Sequence, residues 1–128
     1  MTSKWVKKKI LIILSKNSEL IIKSHDGNII YIDKKNLIFP TLFTLCPNIF
    51  IIEDSYLDEN LVKILGRIKA NKFYNQMRIY CYIPSGTNTN SNYKYLKIIG
   101  INAVLDENTV SKLIAKANSS NWWRRLIE

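Results

Sequence analysis

The sequence predicts an α/β domain, a doubly wound sheet of five parallel strands with helices on both faces. Three observations carry this prediction. Five apolar runs of strand length, rich in Ile, recur along the chain. Their apolar residues are continuous rather than alternating, which suits strands covered on both faces. The stretches between them space apolar residues by three and four, the period of a helix face.

The elements follow in order. Residues 9–14 form the first strand. The next stretch, 15–28, reads two ways. A short helix can end at Gly27 in a left-handed cap. Alternatively, Leu20-Ile21-Ile22 and Ile29-Ile30-Tyr31 flank Asp26-Gly27 as a hairpin. A parallel neighbour needs a crossover of about a dozen residues, which favours a first helix that is short or irregular. Residues 29–32 are the second strand, and 36–45 a short helix entered near Pro40, since proline tolerates a first turn. Residues 48–52 are the third strand, begun by Pro47 and ended by Glu53-Asp54. In 58–71, Leu61, Leu65 and Ile68 share a helix face with Val62 beside them. Residues 78–83 are the fourth strand, stopped by Pro84-Ser85-Gly86 and followed by a polar loop over 87–92. Tyr80 and Tyr82 alternate with Ile79, Cys81 and Ile83, so each set packs into a different helix layer. A helix over 91–99 presents Tyr93, Leu96 and Ile99. Gly100 leads into a short fifth strand over 102–105. The last helix, 108–118, presents Val110, Leu113, Ile114 and Ala117, with Asp106 or Asn108 as its cap.

The 128 residues divide into a basic arm (1–8), one domain (9–118) and a Trp/Arg-rich tail (119–128). Nineteen Lys and Arg against ten Asp and Glu give a net charge of +9. A hydrophobic content of 47% excludes a disordered basic tail, so the charge belongs to a folded surface. It suits nucleic acid, an anionic membrane or an acidic protein face. Lys4, Lys7, Lys8 and Lys9 precede only about six apolar residues, too few for a signal peptide or a span. A cytoplasmic protein (or a stromal one, if organellar) without a membrane partner is therefore expected. Cys46 and Cys81, inside apolar runs, read as buried thiols in a reducing compartment. With His25 they have no ligand spacing, so neither zinc nor any other cofactor is expected. His25 is the chain's one histidine and sits beside a turn, which argues against nucleophilic catalysis. No phosphate-cradling Gly-rich loop follows the first strand, and no small-molecule substrate is expected.

Ligands of doubly wound sheets bind beyond the carboxyl ends of the strands. The residues there are Ser15-Lys16, Glu53-Asp54, Pro84-Ser85 and Asp106-Glu107. Three segments deserve comparison with known patterns. Ile12-Ile13-Leu14-Ser15-Lys16-Asn17-Ser18-Glu19-Leu20 is an apolar strand running into polar residues. Pro47-Asn48-Ile49-Phe50-Ile51-Ile52-Glu53 is an apolar run between a Pro-Asn pair and an acid. Gly100-Ile101-Asn102-Ala103-Val104-Leu105 is a glycine-led strand entry. In order and spacing, over residues 9–118, they resemble the receiver domain of two-component response regulators. That family has an acidic pair after its first strand. Its third strand reads Pro-Asp, apolar run, phosphoacceptor Asp. Its fifth strand is entered by Gly-Ala-Asp-x-Tyr-Leu. The resemblance implies a flavodoxin-like sheet of order 2-1-3-4-5.

It also implies a site that is altered here at each position. A receiver holds Mg²⁺ with several carboxylates, as a hard cation requires. The acidic pair aligns with Ser15 and Lys16, a hydroxyl and a cation. The phosphoacceptor aligns with Glu53, one methylene longer than Asp. The hydroxyl residue of the fourth strand aligns with Ile83, and Ser85 lies two residues further. The Lys of the fifth strand aligns with Asp106 or Glu107, and its aromatic with Val104. A pseudo-receiver results, non-enzymatic and independent of phosphorylation. A bulge in the third strand is the escape from this reading, because it would bring Asp54 to the acceptor position. Lys16 and Glu53 offer a positive alternative: an ammonium in place of the metal can lock one conformation. If both are exposed, the pair contributes little.

Implied partners are a histidine kinase, another response regulator or a second copy of the chain. Receivers dimerise through a face that here includes Tyr93, Lys97, Lys112 and Lys116. Trp122, Trp123, Arg124 and Arg125 extend it, since Trp and Arg are enriched at binding hot spots. The alternative is that the tryptophans pack back on the domain. Nucleic-acid binding through the basic surface is the second class of function, marked by steep salt dependence. A true phosphoacceptor at Asp54 is the third. Six of the ten acids, Glu53, Asp54, Asp58, Glu59, Asp106 and Glu107, fall at or just after two strand ends. An acidic rim on a basic body is expected.

Overall fold

The computed structural model describes residues 9–15, 28–84 and 93–118. Five strands, β1 (Ile10–Ile13), β2 (Ile29–Ile32), β3 (Ile49–Glu53), β4 (Arg78–Tyr82) and β5 (Ala103–Leu105), form one sheet. All neighbours are parallel and the order is 2-1-3-4-5, a flavodoxin-like α/β arrangement. The helices are α1 (Ile38–Leu45), α2 (Glu59–Ala70), α3 (Tyr93–Ile98) and α4 (Glu107–Asn118).

Alternation along the strands splits the core in two. Leu11, Ile13, Phe50, Ile52, Ile79 and Cys81 face α1, α2 and α3 through Leu42, Leu65 and Leu96. Ile10, Ile12, Ile49, Ile51 and Tyr82 face α4 through Val110, Ile114 and Ala117. The central strands β1 and β3 are buried at every position, which accounts for their unbroken apolar runs. Tyr80 and Tyr82 join the α4 layer while Ile79, Cys81 and Ile83 join the other, as the alternation predicts.

The helix ends have chemical causes. The Asp58 carboxylate accepts from the Leu61 N–H at 2.9 Å and caps α2. Asp106, one of the two predicted caps, accepts from the Thr109 N–H at 2.8 Å, so α4 starts at Glu107 rather than at residue 108. The 36–45 segment is a 3-10 turn (Lys35–Leu37) followed by α1, with Pro40 in the first turn. Gly100 sits at φ 106°, and a Cβ there would lie 3.1 Å from Cε of Lys69, so the turn into β5 requires glycine.

One thiol departs from expectation. Cys81 is buried and its thiol is pushed up to about 12, first by burial and then by the charge of Asp54. Cys46 is exposed. It ends α1 in the left-handed conformation, φ 51°, with its N–H donating to the Leu42 carbonyl at 2.9 Å. That backbone reversal turns its side chain out of the apolar run around it. The helix-or-hairpin choice over 15–28 falls mainly on residues outside the described ones, as do the basic arm and the Trp/Arg tail. Among the described residues, no helix is long and apolar enough to cross a membrane.

Candidate functional site

The carboxyl end of the sheet is set by register. Ile13 pairs with Ile52, and the Leu14 N–H continues the ladder to the Ile32 carbonyl at 3.0 Å. Leu14 therefore comes level with Glu53, which pairs with Tyr82, which pairs with Leu105. The ladder from Ile49 to Glu53 runs one-to-one against Arg78 to Tyr82. No bulge interrupts it. Glu53 is the residue that ends β3, and Asp54 follows the strand.

Glu53 is only 3% exposed. By alternation it shares the α4 face of the sheet with Ile49 and Ile51. Its Oε1 accepts from the Ser55 hydroxyl at 2.5 Å. Its Oε2 is buried with no hydrogen-bond partner among the described residues. A buried carboxylate oxygen without a partner is costly and rare.

Asp54 leaves the strand into a 3-10 turn, Asp54–Tyr56. Burial, then repulsion from Glu53, raises its pKa above the usual carboxylate value. Tyr56 closes the same turn. Its hydroxyl lies 2.7 Å from the Asp33 carbonyl and 3.0 Å from the Leu14 carbonyl, and donates between them. One phenol thereby ties the turn after β3 to the ends of β1 and β2. Burial, then the charges of Asp33 and Glu53, push the phenol's pKa up. Lys35 and Asp58 form an ion pair at the rim. Sequence reasoning missed Ser55, Tyr56 and Lys35. The available signal was a run of hydroxyl residues directly after the third strand's acids.

The remaining predicted residues separate. Ser15 is half-buried one residue beyond Leu14. Ile83 is half-buried, and its N–H donates to the Leu105 carbonyl at 3.0 Å, extending β4 rather than offering a hydroxyl. The Asp106 carboxylate is engaged as the α4 cap, and Thr109 holds its pKa below the usual range. Glu107 is half-buried in the first turn of α4. Lys97, Lys112 and Lys116 are exposed on α3 and α4, the helices that flank edge strand β5. Tyr93 opens α3. Lys16, Ser85, Trp122, Trp123, Arg124 and Arg125 lie outside the described residues.

Among the described residues, no three His, Cys, Asp or Glu side chains gather as a metal site. Neither a protein-family model nor a curated protein matches the chain.

Two residues of the compared patterns have a job at the other end of the sheet. Asn48 donates its N–H to the Lys9 carbonyl at 2.9 Å and accepts the Lys9 N–H on Oδ1 at 2.9 Å. Asn102 does the same to Ile79, at 2.7 Å and 2.8 Å. Each residue precedes its strand and grips both backbone groups of one neighbouring residue, Lys9 just before β1 for Asn48 and Ile79 in β4 for Asn102. At both strand entries a short side-chain acceptor meets a backbone N–H.

Proposed function

We propose that the chain is a pseudo-receiver, a protein-interaction module whose state does not depend on phosphorylation. The carrying observation is the buried Glu53, which ends β3 in unbroken register with β4. One of its oxygens is engaged by Ser55 and the other is enclosed, so it is poorly placed to attack a phosphodonor. The strand order and the two Asn grips support the reading. The partner is a histidine kinase, a response regulator or a second copy, engaged through the α3–β5–α4 face, in the cytoplasm or plastid stroma.

The test is incubation of the full chain with acetyl phosphate and Mg²⁺, read by intact mass. No adduct is expected. A stoichiometric phosphoryl adduct that disappears in Asp54→Ala overturns the proposal.

In this reading Glu53 is also coupled energetically to Lys16, which lies outside the described residues. Leu14 is level with Glu53, and Lys16 follows it by two residues in the sequence. A double-mutant cycle of Lys16→Met and Glu53→Gln measures this. A coupling of about 1–3 kcal/mol is expected, and additive effects defeat the lock.

A further inference from the structure

We propose that the amino end of the sheet docks on an anionic lipid surface. Three helices of one layer, α1, α2 and α3, all run from the carboxyl end to the amino end, because each leads into the next parallel strand. Each delivers one solvent-facing apolar side chain there. Phe43, in the last turn of α1, is 80% exposed. Phe73, in the turn after α2, is 92% exposed. Ile98, the last residue of α3, is 82% exposed. Neighbouring helices in a layer sit about 10 Å apart, so the three form a row rather than a cluster.

The same end of the sheet carries exposed bases. Lys9, Lys72 and Arg78 are exposed at the starts of β1 and β4 and in the turn between α2 and β4. Every Asp and Glu among the described residues lies at the opposite end, after a strand or in the first turn of a helix. The helix dipoles account for bases at helix C-termini. They give no reason to leave two phenylalanines and an isoleucine in water.

Basic side chains at the same end as protruding apolar ones match an anionic interface, with the cations at the headgroups and the apolar groups at the acyl boundary. Charge complementarity alone also fits nucleic acid. The row does not: Ile98 has no ring face for stacking, and single protruding side chains suit a fluid layer that needs no matching pocket. This departs from the expectation of no membrane partner, which rested on the lack of a spanning segment. It concerns the end opposite Glu53 and stands independently of the pseudo-receiver reading.

The experiment is co-sedimentation of the full chain with vesicles of phosphatidylcholine alone and of phosphatidylcholine mixed with phosphatidylserine. Binding is expected to the mixed vesicles and to weaken with salt. The Phe43→Ser/Phe73→Ser double variant, checked for folding by circular dichroism, is expected to partition at least about tenfold less. Three results overturn the proposal. One is no binding to mixed vesicles. Another is equal binding by the double variant, which would assign the effect to bare charge. The third is a concentration-dependent dimer, or an oligonucleotide complex, that the same double substitution abolishes while vesicle binding persists.

Discussion

At the amino end of the sheet, Asn48 and Asn102 spend their side chains on backbone groups in or just before neighbouring strands. At the carboxyl end, Glu53 is as buried as the core and keeps one oxygen without a partner among the described residues. Part of the contrast is generic. Helices leave the carboxyl end with acids in their first turns, Glu59 and Glu107, and arrive at the amino end with bases, Arg67, Lys69, Lys97 and Lys116. What helix dipoles leave unexplained is specific: a buried carboxylate at one end and solvent-facing apolar side chains at the other. The difference separates polar groups that build the sheet from polar groups the sheet merely positions.

The largest effect is expected where a grip is buried. Asn102→Ala leaves the N–H of fully buried Ile79 without its acceptor, at a cost of about 1–3 kcal/mol. Urea unfolding measures it as a lower midpoint at constant slope. Asn48→Ala is the matched control. Its partner Lys9 is exposed, so water replaces the lost bond and the cost stays below about 1 kcal/mol. Equal costs would show that burial is not what sets the value of these grips.

Next comes the tie at the carboxyl end. Tyr56→Phe removes one hydroxyl and leaves the Leu14 and Asp33 carbonyls to find water. A loss of about 1 kcal/mol is expected, because the site is only partly buried. The more telling readout is hydrogen exchange. Amide protection of the ladder bond from Leu14 N–H to Ile32 should fall more than protection within β3. If both fall alike, Tyr56 supports the whole sheet and is no local clasp.

These residues also show what was legible in the sequence. The parallel sheet was legible because β1 and β3 are continuous apolar runs, as strands covered on both faces require, whereas the order 2-1-3-4-5 was expected only from the resemblance. The face of α2 followed from Leu61, Leu65 and Ile68 at helical spacing. The placement of Cys46 did not follow, since a left-handed helix cap overrides the apolar character of its neighbours. Phe43 and Phe73 are equally opaque. Apolar residues in and near helices are expected to pack, and only the geometry shows that these two do not. Glu53 was placed correctly at the strand end, but its burial depends on a register that local pattern does not encode. Tyr56 acts through carbonyls 42 and 23 positions away, beyond the reach of any local signal.

The smallest effect is electrostatic and tests the carboxyl end from within. Asp54 has a raised pKa, while Asp58 and Asp106 have lowered ones. Lys35 and backbone N–H groups hold Asp58 down, and Thr109 holds Asp106 down. Burial and the neighbouring Glu53 act the other way on Asp54. A raised acid binds its proton more tightly when folded, so its contribution to stability is fully present below the ordinary 3.8. That contribution is lost as pH rises through the raised folded value. Lowered acids behave oppositely, and theirs is lost as pH falls below 3.8 through the depressed folded values. Asp54→Asn should therefore gain stability relative to the parent as pH rises from below 3.8 toward neutrality, and the gain should then level off. Asp58→Asn should lose relative stability over the acid window that Asp54→Asn leaves unchanged. Adding Glu53→Gln should bring Asp54 only part of the way back to its ordinary value, because burial is the larger cause. Full return would make repulsion from Glu53 the dominant cause, and the carboxyl end would then be a pair of crowded charges rather than a dry site.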